Sequence, residues 1–390
     1  MYTASQNNRT RVQVPSNGYQ HSIMNITNSL KFSSSPSGFY STACKRVAEY
    51  FKTANISRFS NREMVWKTVF MLSLYLVPYA FMISGLVNTF WIYLGLAVIM
   101  GLGKAGIGLS VMHDANHGAY SARTGINKLL SMSINLVGAH SLNWKIQHNV
   151  LHHTYTNVHN ADEDISPRGI LRMSPESKWK PIHKFQHFYA WFFYGLMTFV
   201  WIIFKDFGRL RQYQKDGMLK KQKASATKQW LILILTKVVY FGCVIALPLW
   251  LTPFSIWQIF LGFFVMHYIA GFILALIFQP AHVIEGTSYP VPDENGNLEN
   301  NWAIHQMQTT TNFGHRQRLF SWYVGGLNYQ VEHHLFPNIC HVHYRKIAPI
   351  VEKTAKEFGV PYHTKKSFFE AIAAHARLLK ALGARPALQF

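Results

Sequence analysis

The chain has 390 residues, of which 49% are hydrophobic, 15% aromatic and only 14% charged. Soluble domains carry about 25% charged residues, so this composition argues against two ordinary soluble domains and for one unit built in a bilayer. The formal net charge of +21 suits an anionic partner, but no nucleic-acid motif accompanies it, and no nucleic-acid partner is expected.

Residues 1–40 are rich in Ser, Asn and Thr, with a Ser-Ser-Ser-Pro-Ser-Gly stretch at 33–38. They read as a flexible N-terminal tail without the apolar core of a signal peptide. The main domain is expected over 41–390. Four apolar runs, about 68–87, 90–110, 230–251 and 255–278, reach the roughly 20 residues that a membrane span needs. Only Asn88 and Thr89 separate the first pair, and only Thr252, Pro253 and Phe254 the second. Both pairs therefore read as tight transmembrane hairpins. A shorter aromatic run, about 188–204, is expected to lie in the interface as a helix, because one more crossing would put the histidine motifs on opposite faces.

Charge placement agrees with this topology. Residues 1–67 hold nine Lys/Arg against two acidic residues, 205–228 hold eight against two, and 343–390 hold nine against three. The basic segments then share the cytoplasmic face. The expected fold is an all-α integral membrane protein, with four spans in two hairpins and a cytoplasmic helical cap. Lys104 and Lys237 fall inside the proposed spans. Both are expected to snorkel toward the interface, although an intramembrane ionisable group is also a functional candidate.

Three cysteines, Cys44, Cys243 and Cys340, are far apart and form no CxxC pair. They suit neither a disulfide framework nor a cysteine-ligated iron–sulfur cluster. Histidine is the unusual residue, at 20 copies. His113 and His117 follow the second run, and His148, His152 and His153 come next in order. Gln330, Glu332, His333 and His334 follow the fourth run, with His282 just past its end.

Residues four apart share a helix face, which pairs His113 with His117, His148 with His152, and Gln330 with His334. His153 is turned about 100° from His152 and is expected to address a second ion. Imidazole suits iron, copper, nickel and zinc, and so many rings exceed what one tetrahedral ion uses, so two ions are expected. His21, His183, His187, His267, His363 and His375 read as interfacial or satisfied polar residues. His140, His159, His305, His315, His341 and His343 lie nearer the motifs and read as structural or supporting.

The segments HDANH, HNVLHH and QVEHH resemble the three histidine boxes of membrane fatty acid desaturases. Order, spacing and position relative to the two hairpins all match, over about residues 66–350. The Gln opening the third box is similar to the front-end, linoleoyl-CoA desaturase-like branch, as are Ser141-Leu142-Asn143-Trp144 and Gln308-Thr309-Thr310-Thr311-Asn312-Phe313. The resemblance implies a di-iron site on the cytoplasmic face, held by His113, His117, His148, His152, His153, His333 and His334, with His282 as an extra ligand. Gln330 replaces the His that opens this box in other branches, so the resemblance leaves it as a ligand or a neighbour of one. Asp114, Glu332, Asp164 and Asn312 are further candidates, as ligands or as partners that orient ring N–H groups.

The implied reaction is O2-dependent desaturation of an acyl-CoA or acyl-lipid, removing two hydrogens to leave a cis double bond. It is hydrogen abstraction, so no general base is assigned, and the oxidant must come from a cofactor. No His-Pro-Gly-Gly motif of a fused cytochrome b5 domain occurs, so electrons are expected from a separate b5-like protein or a ferredoxin with its reductase. A bacterial inner membrane or an endoplasmic reticulum would suit. Three other readings remain open: a lipid or sphingolipid hydroxylase on the same scaffold, a membrane zinc hydrolase, and a non-catalytic receptor or metal sensor.

Overall fold

The computed structural model describes residues 27, 29–34, 37–165 and 169–386. Much of the stretch read as a tail, residues 1–26, 28, 35 and 36, lies outside that set. Within the stretch, Lys31–Phe32 (β1) pairs in parallel with Asn297–Leu298 (β2). Helix α1, Phe39–Thr53, buries Phe39, Ala43 and Val47, a stripe at four-residue spacing that faces the core.

Helix α2, Arg62–Ile83, starts six residues before the apolar run because the Asn61 side chain accepts a bond from the Met64 N–H at 3.0 Å. Helix α3, Phe90–Asn116, continues past the end of its run. It widens to a π-helical turn at Ile107–Met112 and resumes as α-helix at His113–Asn116. Helix α4 joins Ser141–Lys145, the π-helical Ile146–His152, and His153–Tyr155 into one continuous rod. The aromatic run at 188–204 falls on two helices, α5 (Pro181–Gly195) and α6 (Met197–Lys215), that meet at a bend of 59°. The second hairpin is α7, Ala226–Leu251, and α8, Ile256–His282. Reciprocal bonds between Ser255 and Gln258 open α8.

Among the described residues, α2, α3, α7 and α8 are the four helices long and apolar enough to cross a membrane, with the bent pair a possible fifth crossing by length and composition. Their surfaces suit lipid. Helix α7 exposes Leu231, Leu235, Val238 and Val239. Trp91, Trp250 and Trp257 lie exposed beside the two hairpin turns, and Trp66 lies exposed at the opposite end, as in an aromatic belt.

Small residues let the spans approach closely. A Cβ on Gly103 would sit 2.6 Å from the Tyr75 backbone of α2, and one on Gly101 would sit 2.8 Å from the Met266 carbonyl of α8. Only glycine fits either contact. The two intramembrane lysines do not snorkel. Both are buried and point inward, because the interior offers bonds that lipid cannot. Lys104 Nζ reaches the Val137 carbonyl at 2.5 Å, and Lys237 Nζ reaches Asp206 Oδ2 at 2.6 Å.

In each hairpin the second helix returns the chain to the side where the first began. His113 and His282, at the ends of α3 and α8, share one side, because the rings of His148 and His152 join them. There the chain adds β3 (Thr311–Phe313), helix α9 (Gln330–Leu335), helix α10 (Tyr344–Glu357), β4 (His363–Lys365) and helix α11 (Phe368–Gly383). β3 and β4 pair in parallel, and α11 packs on α5 and α8.

Candidate metal centre

Helix ends build the site. His113 and His117 stand one turn apart, and the His117 N–H bonds to the His113 carbonyl at 3.2 Å. On α4 His148 stays stacked beside His152, with ring centroids 5.3 Å apart, and gains His153 as a second neighbour. The π-helical turn has more residues per turn, so His148 faces His153, with their Nε2 atoms 3.3 Å apart. His152 is also directed toward His282 and His334, whose ring centroids lie 4.6 and 5.0 Å from its own.

The result is two linked sets of ring nitrogens. One ligand atom from each of His113, His117, His148 and His333 lies within 4.8 Å of every other. The same holds for His152, His282 and His334, and for His153, His333 and His334, the trio that joins the sets. All eight histidines singled out from the sequence thus converge. All are buried except His117, which is partly exposed.

The outer ring nitrogens are anchored. Nδ1 of His152 meets Asp162 Oδ2 at 3.0 Å, and Nδ1 of His282 meets the Thr309 carbonyl at 3.2 Å. Nδ1 of His334 meets Gln306 Oε1 at 2.7 Å, and Nδ1 of His333 meets Tyr344 Oη at 3.2 Å. Carboxylate and carbonyl partners hold the proton on Nδ1 and leave the Nε2 lone pair free. The Nε2 atoms of His117, His152, His282 and His334 are buried with no hydrogen-bond partner. Unpartnered buried nitrogens are costly. Elsewhere ring nitrogens crowd together, as at His153 and His333, with Nε2 atoms 2.9 Å apart. Metal ions would satisfy both features, so the donor set fits them. Burial, then the neighbouring imidazoles, push His148, His153, His333 and His334 well below the usual histidine pKa, which keeps them neutral as metal binding requires. For His152 burial pulls the same way, but the Asp162 carboxylate overcomes it and the net shift is upward.

The remaining candidates take supporting places. Asp114 Oδ2 accepts from His341, at 2.8 Å from Nδ1 and 3.1 Å from the backbone N–H. Glu332 accepts from Asn312 Nδ2 at 2.8 Å and from Tyr362 Oη at 2.9 Å. Its pKa rises to about 7, because burial outweighs those bonds. Asn312 also accepts the Val331 N–H at 2.9 Å, which fixes the start of α9. Asp164 accepts from Gln147 and lies 3.8 and 3.9 Å from Nδ1 of His152 and His148. Gln330 donates to the Leu327 carbonyl at 2.8 Å, and its Oε1 has no partner.

Sequence reasoning did not single out Gln306 or Tyr344, and it marked Asp164 rather than Asp162. Trp144 stacks against His148 with centroids 4.5 Å apart, on the stretch already marked as family-like. Asp162 is fully buried and also accepts the Asn157 N–H at 2.9 Å. Replacing such an outer partner costs about 10–100-fold in metal affinity or activity. Asp162→Asn is expected to lose that much, seen as weaker metal retention against a graded chelator. Unchanged retention would show that Asp162 does not orient His152.

An apolar cavity of about 420 Å³ opens beside the cluster. His113, His148 and His333 line one part, and Gly108, Leu109 and Met112 of α3 lead away from them to Lys104. Its rim includes Ile170, Val200 and Phe204, all exposed on the apolar surface.

Fold and cluster together define a helical membrane protein whose histidines can hold metal ions beside an apolar cavity. Comparison with known proteins makes the class specific. The fatty acid desaturase family model matches residues 88–366. An sn-1 linoleoyl-lipid 6-desaturase of Synechocystis sp. is 36% identical over 352 residues, covering 89% of this chain and 96% of that protein. A protein of the same description from Arthrospira platensis is 35% identical over 353 residues, covering 90% and 94%. An acyl-lipid (8-3)-desaturase of Physcomitrium patens is 37% identical over 358 residues, covering 88% and 72%. The chain belongs to the fatty acid desaturase family, and is an oxidoreductase that makes unsaturated fatty acyl chains. The family generally uses iron.

Proposed function

We propose that the chain inserts a cis double bond into an acyl chain carried on a membrane lipid, with two irons held by the eight clustered histidines. The observation that carries this reading is the set of buried Nε2 atoms without partners, on rings whose Nδ1 atoms are anchored, beside an apolar cavity. His113, His117, His148 and His333 would hold one iron, and His152, His282 and His334 the other, with His153 between them. Gln330 Oε1 is available as an oxygen donor to the first set. Bound iron supplies O2 activation and the removal of hydrogen from an unactivated methylene pair.

The protein's own residues do the positioning. Asp162, Gln306, Tyr344 and the Thr309 carbonyl fix the ring orientations. Leu109, Met112, Trp144 and Leu327 sheath the acyl chain and exclude water from the reacting carbons. The rim at Ile170, Val200 and Phe204 faces the apolar surface, so a lipid-borne chain enters sideways from the bilayer. That supports an acyl-lipid over an acyl-CoA, as the relatives' names do. In balance, two hydrogens from the chain, O2, two electrons and two protons give the alkene and two waters. The electrons come from a separate donor, b5-like or a ferredoxin with its reductase. The basic segments on the side of the cluster support a cytoplasmic site, by the positive-inside rule.

The test supplies a linoleoyl glycerolipid, a reducing system and O2 to the protein in lipid nanodiscs. The expected product is lighter by two hydrogens and forms only when O2 and reductant are both present. A product heavier by one oxygen would point to a hydroxylase. A product formed without O2 would point to a hydrolase.

A further inference from the structure

The cavity ends on a lysine inside a membrane-spanning helix. Lys104 is its last lining residue along α3 and is almost fully buried. It lies nine residues before His113, about 13 Å of helix rise. Gly108, Leu109 and Met112 line the cavity between them on α3. A lone amine there would be costly, yet three polar groups of the protein surround it. Lys104 Nζ lies 2.5 Å from the Val137 carbonyl, 3.1 Å from Tyr240 Oη and 3.2 Å from His267 Nε2. Thr198 Oγ1 donates to the His267 carbonyl at 2.8 Å, so it accepts from His267 Nδ1 at 3.1 Å. That leaves the single lone pair of His267 Nε2 shared between Tyr240 at 2.8 Å and Lys104 at 3.2 Å.

Three polar partners from the protein surround the Lys104 amine and hold it away from the cavity. What it presents to the cavity is its methylene stem.

A second observation gives that stem a role. A smaller void of about 10 Å³ lies further along the same helices, lined by Ala97 and Met100 of α3, Val244 of α7, and Met266 of α8, among others. Each part of the network borders it in sequence. Lys104 is one turn from Met100, Tyr240 is one turn from Val244, and His267 adjoins Met266. The network lies at the Lys104 end of the cavity, close in sequence to residues that line this void.

We propose that Lys104, held by Tyr240, His267 and the Val137 carbonyl, is a polar partition that sets how far the methyl end of the acyl chain can extend beyond the reacting carbons. This rests on the reading of the cavity as the acyl site. The headgroup stays at the interface, so the methyl end is the one that reaches Lys104. A partition built from three spans resists being pushed aside, because moving the stem breaks three buried bonds.

The test compares turnover on acyl lipids lengthened two carbons at a time at the methyl end, for wild type, Lys104→Ala and Lys104→Met. Both variants lose the amine, but Met keeps the bulk of the stem. One methylene in an apolar pocket is worth about tenfold or more in discrimination. Lys104→Ala is expected to raise the ratio of the first excluded length to the preferred length by at least about tenfold, and Lys104→Met, which keeps the bulk of the stem but not the bonds that hold it, by less. An unchanged ratio in a Lys104→Ala protein that retains its metal would overturn the proposal, as would an equal rise in both variants.

Should Lys104→Ala fail to fold, Gly108→Leu tests the same ruler from the near side. A Cβ there meets Leu274 at an ordinary 3.4 Å, so the new side chain shortens the cavity. It is expected to shift preference to shorter chains by about tenfold, and an unchanged profile would again overturn the idea. Wild-type turnover separates the two failures. No unsaturated product from wild type would sink the desaturase reading itself, whereas normal product with an unmoved length profile sinks only the partition.

Discussion

Changing His333 to Ala is expected to lower desaturation by more than about 100-fold, beyond the usual cost of losing an outer partner of a metal ligand. His333 belongs both to the set with His113, His117 and His148 and to the set with His153 and His334. No other ring shares its position between them, and its Nε2 lies 2.9 Å from that of His153. Iron content should fall to about half or less, measured on the same preparation. Retention of wild-type iron with activity within tenfold would remove the histidine cluster from the chemistry. The variant should still unfold cooperatively, because the spans and their glycine contacts are untouched.

The largest stability effect is expected at Lys237. Its ammonium lies 2.6 Å from Asp206 Oδ2 and 2.6 Å from the Gly138 carbonyl. Asp206 is fully buried and also receives the His140 N–H at 3.1 Å, Asn143 Nδ2 at 3.2 Å and Trp201 Nε1 at 3.0 Å. This carboxylate ties α6 and α7 to the segment that leads into α4, and so to His148, His152 and His153. Lys237→Met removes the cation and leaves the carboxylate buried, which costs about 3–5 kcal/mol. Unfolding in detergent should show that loss. Adding Asp206→Asn should recover part of it, since replacing both members of a buried pair costs less than stranding one. A single variant within about 1 kcal/mol of wild type would show that the pair is solvated rather than buried.

Chemistry that sits in local spacing was legible before the fold was known. Adjacent pairs such as His152-His153 and His333-His334 stand out in one dimension, and the apolar runs announce two hairpins. Span ends were less legible, because caps and polar turns rather than hydropathy set them. Asn61 starts α2 among polar residues, and α3 carries on through His113 to Asn116. The π-helical turn in α4 left no mark in the sequence, since five-residue and four-residue pairings of the same histidines read alike.

Partners distant in sequence were least legible. Asp114 finds His341, 227 residues away, and His334 finds Gln306, 28 residues away. Lys237 finds Asp206, 31 residues away. Such pairs follow from how the helices pack, and no single segment encodes them. The two lysines were read as snorkelling because burial of a charge is unfavourable alone. The acceptors that make it tolerable come from other helices.

The central claim is that eight histidines hold two irons. Counting iron and zinc per chain in the detergent-purified protein tests it most directly. About two irons and no stoichiometric zinc is the predicted result. Zinc in place of iron, or a single metal ion per chain, would contradict it.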